Sequence, residues 1–172
     1  KSLIQNVKEK RSIPIIKHLE GICHVYVDKD ADISIAKEII FNSKMRSPGI
    51  CGAAETLLID KAISKNSLAL LNNLVDAECE IRGDSFIHSL DNKFKKALED
   101  DWGTEYLDKI ISVKIVDGVS GAISHINNYS SGHTESIITE NSKTFEMFYK
   151  NINSAIILQN ASTQFADGGE FG

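Results

Sequence analysis

Short apolar runs that alternate with longer stretches of helical periodicity are the feature that most constrains this fold. Runs of the length of a buried strand lie at 13–16, 24–27, 56–59, 110–116, 136–139 and 155–158, and 80–83 is predicted as a short strand closed by a glycine turn. Helical patterns lie at 1–10, 32–40 and 68–75, around 94–98, and at 120–128 and 142–151. Such alternation favours a largely parallel sheet covered by helices on both faces. We therefore predict a three-layer α/β/α fold, and we expect ligands at the carboxyl ends of its strands.

Composition and charge narrow the class of protein. The length of 172 residues suits one domain, and 42% hydrophobic against 25% charged residues is the balance of a globular chain. A net charge of −5 without a stripe of Lys and Arg argues against a nucleic-acid partner. Because no apolar run approaches the roughly 18 residues of a membrane span, and the N-terminus has no signal-like pattern, we expect no membrane association.

The three cysteines, Cys23, Cys51 and Cys79, form no Cys-x-x-Cys pair. An odd set of this kind is typical of free thiols in a reducing compartment, so we expect a cytoplasmic protein. Cys51 follows a Pro-Gly turn at 48–49 and precedes an apolar run, a position that can present a thiol at the rim of a sheet. A thiolate is a strong nucleophile, yet free cysteines are often plain core residues, so the surrounding sequence must decide.

Several blocks of sequence, in order along the chain, carry a family resemblance. They lie at 13–21, 23–28, 47–58, 105–108, 131–135, 160–163 and 167–172. Together they resemble the gamma-glutamyl phosphate reductases, also called glutamate-5-semialdehyde dehydrogenases, of the aldehyde dehydrogenase superfamily. The resemblance implies an aldehyde-dehydrogenase-like catalytic domain with a mostly parallel sheet.

The resemblance also implies a reaction in proline biosynthesis, in which gamma-glutamyl phosphate and NADPH give glutamate-5-semialdehyde, phosphate and NADP⁺. Cys51 matches the position of the family's nucleophile, whose thiolate displaces phosphate and leaves a thioester for hydride. The main-chain N–H of Cys51 is then a natural donor to the developing oxyanion. Where hydrolytic relatives have a glutamate base, this chain has Lys17-His18, which suits a reductase that must not hydrolyse its thioester.

Further site residues and a domain boundary follow from the resemblance alone. Glu105 matches the glutamate that contacts the nicotinamide ribose, and Ser162 and Thr163 match the loop that anchors the substrate's amino-acid carboxylate. Residues 1–16 correspond to the tail end of an absent dinucleotide-binding domain, and residues 17–172 to the catalytic domain. Because the chain has no Gly-x-Gly-x-x-Gly motif, we expect NADPH to be bound mainly by that other domain, in cis or on a partner chain. An exposed sheet edge can also pair two copies into a homodimer.

Two departures from the family pattern keep an alternative open. Gly52 stands where members usually have Asn after the nucleophile, and Gln164 stands where they usually have Arg. A guanidinium grips a carboxylate bidentately and an amide does not, so anion recognition is weakened. A non-catalytic remnant, or a half-enzyme that is inactive without its cofactor domain, is therefore the second hypothesis. An aldehyde dehydrogenase for another substrate is disfavoured by the blocks that carry the resemblance.

Other candidate residues favour structural interpretations. Cys23 at a strand entrance and Cys79 at a helix end are expected to pack in the interior. His133 is expected to make a structural hydrogen bond rather than to donate a proton to the product. The segment 167–170 has two open interpretations, a turn or a phosphate site made by glycine N–H groups, and its two acidic side chains oppose an anion. The spacing of the histidines near Cys23 fits no zinc pattern, so we expect no metal.

Overall fold

An all-parallel sheet of seven strands forms the centre of the structure, a computed structural model that describes residues 20–166. The strands are β1 Cys23–Val27, β2 Ala54–Asp60, β3 Glu80–Gly83, β4 Lys95–Lys96, β5 Ile110–Val116, β6 Thr134–Ile138 and β7 Ile156–Gln159. Their order across the sheet is β4-β3-β5-β2-β1-β6-β7, and every neighbouring pair is parallel. The helix and strand predicted within residues 1–16, the pair at 17–18 and the segment 167–172 lie outside the described residues.

Helices connect the strands, as parallel pairing requires. They are α1 Ile33–Met45, α2 Ser67–Asp76, α3 Ser85–Leu90, α4 Gly118–Tyr129 and α5 Ser142–Asn151, with 3₁₀ turns at Lys61–Asn66, Glu99–Gly103 and Thr163–Ala166. Asp32 caps α1, because its carboxylate accepts free N–H groups of the first turn, those of Ser34 and Ile35. Within residues 20–166, no helix has the length and apolar character to cross a membrane.

Side chains along each strand alternate between two hydrophobic cores, one on each face of the sheet. Val25 and Val27 pack with Leu57 in the core that contains the buried faces of α1 and α2. Tyr26 and Leu58, one position along, pack in the core that contains the buried faces of α4 and α5. Because both faces of the sheet are covered, the predicted three-layer α/β/α architecture is confirmed.

Two elements differ from the prediction. The segment 94–98, predicted to be helical, contains β4, and the helix in this region is α3, which begins earlier. Phe94 is buried and supplies the apolar signal, but Lys95 and Lys96 pair with β3 at the edge of the sheet, where charged side chains stay in water. The prediction of a buried strand at 155–158 is wrong in burial, because β7 is the opposite edge strand and is only partly covered.

Candidate functional site

Cys51 lies on a tight turn at the amino end of β2. The turn is closed by the N–H of Ala53, which donates to the carbonyl of Ile50 at 3.0 Å, and β2 begins one residue later. The Cys51 side chain is partly exposed, whereas Cys23 and Cys79 are buried, and all three thiols are free. The candidate nucleophile is therefore held by the first turn before a buried strand. This is the opposite end of the sheet from the carboxyl ends at which we expected ligands.

Gly21 closes one side of this turn. A Cβ atom placed on Gly21 would lie 1.9 Å from the carbonyl oxygen of Cys51, so no other residue type fits without moving the backbone. The N–H of Gly21 donates to Oε1 of Glu105 at 2.7 Å. The fold thus brings Glu105, which lies 54 positions further along the chain than Cys51, next to the residue that touches the candidate nucleophile.

The segment around Thr163 closes another side of the turn. A Cβ atom on Gly52 would lie 3.4 Å from the carbonyl oxygen of Thr163, an ordinary contact distance. Thr163 is fully buried, and its Oγ1 has no hydrogen-bond partner within residues 20–166. Ser162 is also buried, but its Oγ accepts the N–H of Gln164 at 3.2 Å. Thr163 therefore lies against the Cys51 turn, and the Ser162 hydroxyl is used locally.

Gln164 is the residue that stands in place of the expected arginine. Its Nε2 donates to the carbonyl oxygens of Ser43 at 3.0 Å and Ser47 at 3.4 Å. The side chain is buried, and it ties the last 3₁₀ turn to the end of α1 and to the start of the loop that carries Cys51. In this position the amide serves to hold the backbone.

Cys23 packs directly beneath the candidate nucleophile. Its Sγ donates to the carbonyl of Cys51 at 3.2 Å and lies 3.6 Å from Nδ1 of His133. The same His133 Nδ1 lies 2.8 Å from the hydroxyl oxygen of Thr134. Burial, followed by the nearby carboxylate of Glu135, raises the pKa of the Cys23 thiol. Such a thiol is a poor nucleophile at neutral pH, and the expectation that Cys23 packs in the interior is confirmed. Cys79 is likewise buried, as expected.

A buried ion pair beside the turn was not predicted from the sequence. Nζ of Lys44, at the end of α1, lies 2.6 Å from Oε2 of Glu55 in β2, and both side chains are almost fully buried. Burial raises the pKa of Glu55 to about 7, although the positive charge of Lys44 opposes that rise. A signal was present, because a carboxylate within an apolar strand requires a buried partner. The sequence did not identify which cation supplies it.

A cavity of about 600 Å³ lies at the carboxyl ends of the strands, the end where ligands were expected. Its charged lining consists of three aspartates and two lysines: Asp28, Asp60, Asp117, Lys29 and Lys61. Lys29 is already paired with Asp30 at 2.8 Å. An excess of carboxylates does not favour an anionic ligand, so the amino-end site around Cys51 is the better candidate for a site that binds an anion.

Known proteins with similar sequences and structures point to one family. Gamma-glutamyl phosphate reductase of Brucella suis biovar 1 (strain 1330) is 56% identical over 173 residues, which cover 100% of this chain and 41% of that protein. The crystal structure of gamma-glutamyl phosphate reductase from Thermotoga maritima matches with a TM-score of 0.93 at 42% identity, covering 99% of this chain and 42% of that one. An acetylating aldehyde dehydrogenase from Geobacillus thermoglucosidasius shares the fold, with a TM-score of 0.73 at 20% identity over 96% of this chain and 45% of that one.

No protein-family model matches the chain. The match to each of these proteins covers less than half of the other chain, from 41% to 45% of its length. The sequence blocks, the parallel sheet and the match at 56% identity nevertheless agree with one another. Over its whole length, the chain is a homologue of the gamma-glutamyl phosphate reductases and has the fold of aldehyde dehydrogenase-like proteins.

Proposed function

We propose that residues 17–172 form the catalytic domain of an NADPH-dependent gamma-glutamyl phosphate reductase, with Cys51 as its nucleophile. The observation that carries the proposal is the packing of a partly exposed cysteine on a turn that contacts Gly21 and adjoins Thr163. A nucleophile must be held in place and yet remain accessible. The start of a buried strand provides the first property, and the partial exposure of Cys51 provides the second.

The Cys51 thiolate attacks the acyl carbon of gamma-glutamyl phosphate, the bond from that carbon to the phosphate oxygen breaks, and phosphate leaves with the electron pair. The product of this step is a thioester on Cys51. The thiol is suited to this work because its thiolate is intrinsically nucleophilic and a good leaving group. The main-chain N–H of Cys51 is our candidate donor to the oxyanion that forms in each addition step.

Glu105 is our candidate for the ribose of the cofactor. Its half-buried carboxylate engages the Gly21 amide through Oε1, and a carboxylate of this kind can also accept ribose hydroxyls, so the residue type fits the group. Bound NADPH supplies the hydride that reduces the thioester to the aldehyde and returns the Cys51 thiolate. We propose that most of its binding surface lies on a separate nucleotide-binding domain, to which residues 1–16 belong.

For the amino-acid end of the substrate, Thr163 is a better candidate than Ser162. Its buried Oγ1 has no partner within the described residues, whereas the Ser162 hydroxyl already accepts a main-chain N–H. A buried hydroxyl without a partner is destabilising unless a ligand or water satisfies it.

The free thiols suit a reducing compartment, so we propose that this reaction takes place in the cytoplasm.

The test is the reverse reaction of the protein with glutamate-5-semialdehyde, phosphate and NADP⁺, followed by the absorbance of NADPH. We expect Cys51→Ala to reduce the rate by at least about a thousandfold, because the covalent step is lost. The matched control is Cys79→Ala, which alters a buried thiol away from the turn and is expected to keep the rate within about threefold.

A measurable rate that is the same in the wild type and in Cys51→Ala would reject the proposal. The second candidate, a half-enzyme or non-catalytic remnant, is favoured by Gln164, whose buried amide holds main-chain carbonyls where an anion-binding arginine was expected. It predicts no reverse reaction by this chain alone. Activity that appears only after a nucleotide-binding domain is supplied would identify a half-enzyme, and no activity in its presence would identify a remnant.

A further inference from the structure

The buried pair of Lys44 and Glu55 encloses the loop that carries Cys51. The two residues are 11 positions apart, with Lys44 at the end of α1 and Glu55 at the second position of β2, and their side chains are 0% and 1% exposed. The ion pair therefore joins the two ends of the segment in which the candidate nucleophile lies. Its short contact, 2.6 Å between Nζ and Oε2, fixes the distance between those ends.

The second oxygen of Glu55 reaches a different segment. Oε1 accepts the N–H of Leu107 at 3.3 Å, and Nζ of Lys44 lies 6.0 Å from the centre of the Tyr106 ring. Leu107 has a φ of +53°, in the left-handed region that disfavours residues with a side chain. A conformation of this kind persists only when its surroundings hold it, and the Glu55 carboxylate is one of the groups that do so.

The turn held by Glu55 positions Glu105. Glu105 precedes Leu107 by two residues and accepts the N–H of Gly21 through Oε1 at 2.7 Å. Gly21 in turn lies against the carbonyl of Cys51, without room for a Cβ atom. Three contacts link these residues: Glu55 with Leu107, Glu105 with Gly21, and Gly21 with Cys51. The chain itself closes the ring, since Glu105 is two residues before Leu107 and Cys51 is four residues before Glu55.

We propose that Lys44 and Glu55 are positioning residues of the thiol site, which hold Glu105 and Gly21 against the Cys51 turn through the Leu107 amide. The proposal rests on the proposed function in treating Cys51 as the reacting group and, for the readout with NADP⁺, Glu105 as a cofactor ligand. Neither Lys44 nor Glu55 touches the reacting atoms. Their effect passes through the main chain of the two loops that surround Cys51.

Stability alone does not explain this pair. Replacing a buried ion pair by apolar side chains of similar volume is often neutral or stabilising, because desolvation of the charges opposes their attraction. An apolar pair at 44 and 55 would fill the same space but would leave the Leu107 amide without its acceptor. The Glu55 carboxylate accepts from Lys44 through Oε2 and from the Leu107 amide through Oε1. An apolar side chain at position 55 cannot make either contact.

The experiment compares two double variants of the full-length protein. Lys44→Met/Glu55→Gln removes both charges but keeps a side-chain oxygen that can accept from Leu107. Lys44→Met/Glu55→Leu removes both charges and the acceptor. We expect the first variant to keep the rate of Cys51 alkylation by iodoacetamide within about threefold of the wild type, and the second to change it about tenfold. The exchange of the Gly21 amide with deuterium is expected to rise about tenfold in the second variant only.

A second readout separates positioning from a general structural role. Glu105→Gln is added to each double variant, and its effect on the KM for NADP⁺ is measured as a mutant cycle. With the acceptor kept, Glu105→Gln should have its full effect. With the acceptor removed, its effect should shrink at least threefold, because Glu105 is already displaced. Equal effects in both backgrounds, with equal Gly21 exchange, would overturn the proposal.

The test can be decided without the proposed reaction and, if a variant does not fold, without the variants. Alkylation and amide exchange need neither substrate nor cofactor, so they remain decisive if the proposed reaction fails. If either double variant does not fold, the wild type itself is tested by amide exchange. Leu107 and Gly21 should then open with the same free energy, as members of one ring do, and opening of Gly21 without Leu107 would contradict the ring.

Discussion

At the scale of single residues, environment distinguishes three otherwise identical thiols. Cys51 is partly exposed on its turn, whereas Cys23 and Cys79 are buried. Burial raises the pKa of Cys79 to about 12, and burial with the Glu135 carboxylate raises that of Cys23. Because only the thiolate attacks carbon, these two cysteines are poorly suited to covalent chemistry at neutral pH.

Alkylation of the folded protein with iodoacetamide should therefore modify Cys51 first. We expect its rate to exceed the rates at Cys23 and Cys79 by at least about tenfold, since Cys51 is the accessible thiol and burial raises the pKa of each of the other two. Peptide mass spectrometry at successive times measures the three rates. Denaturation should bring them within about threefold of one another. Equal and slow labelling of all three in the folded protein would count against a nucleophilic Cys51 and favour the non-catalytic hypothesis.

Replacement by alanine should strongly destabilise the protein at Gly21 and have little effect at Gly52. Gly21→Ala places a methyl group 1.9 Å from the Cys51 carbonyl, so we expect a loss of about 3 kcal/mol or more in the free energy of unfolding. At Gly52 the added carbon meets its nearest neighbour at 3.4 Å, and φ lies outside the left-handed region. We therefore expect Gly52→Ala to change the free energy by less than about 1 kcal/mol. Urea unfolding measures both, and similar losses would show that the packing at Gly21 is misassigned.

At the scale of elements, local sequence signals were enough to predict a helix when the residues that begin and end it lie next to it in the chain. The helix predicted at 142–151 has the observed bounds of α5, whose first turn is capped by Asn141. The segment 94–98 failed because a single buried aromatic residue, Phe94, followed by two lysines gives no clear period. β4 has only two residues, and its strand character comes from pairing with β3.

At the scale of the whole molecule, the burial of a histidine against one face of the sheet makes the stability of the fold depend on pH. The ring of His125 in α4 packs edge to face against Trp102 and at a tilt against Tyr129, with ring-centre distances of 5.5 and 4.7 Å. Burial, followed by the nearby His24 and Lys114, lowers the pKa of His125 to about 3. The folded protein therefore keeps this imidazole neutral in a pH range where the unfolded chain protonates it.

This histidine should make the fold sensitive to mild acid. Below its unfolded pKa of about 6.5 the unfolded chain binds a proton that the folded protein does not, so stability is lost as pH falls toward 3, by up to about 1.4 kcal/mol per pH unit. In His125→Phe, which keeps an aromatic ring in place, that part of the slope should disappear. Urea unfolding of both proteins from pH 7 to pH 5 measures the difference. Parallel curves would contradict the assignment.

The amino-acid sequence by itself determined the layered architecture, because apolar runs of strand length and helices of period 3.6 leave few other ways to bury both faces of a sheet. Through the blocks that resemble the gamma-glutamyl phosphate reductases, it also predicted Cys51, Glu105, Ser162 and Thr163 as site residues, and these roles stay predictions. Only the tertiary structure decided that Gly21, 30 positions earlier in the chain, packs against the Cys51 turn. The pairing of Lys44 with Glu55 and the ring of contacts through Leu107 were decided in the same way. Contacts between distant segments depend on strand order and register, and no local spacing in a single sequence encodes these.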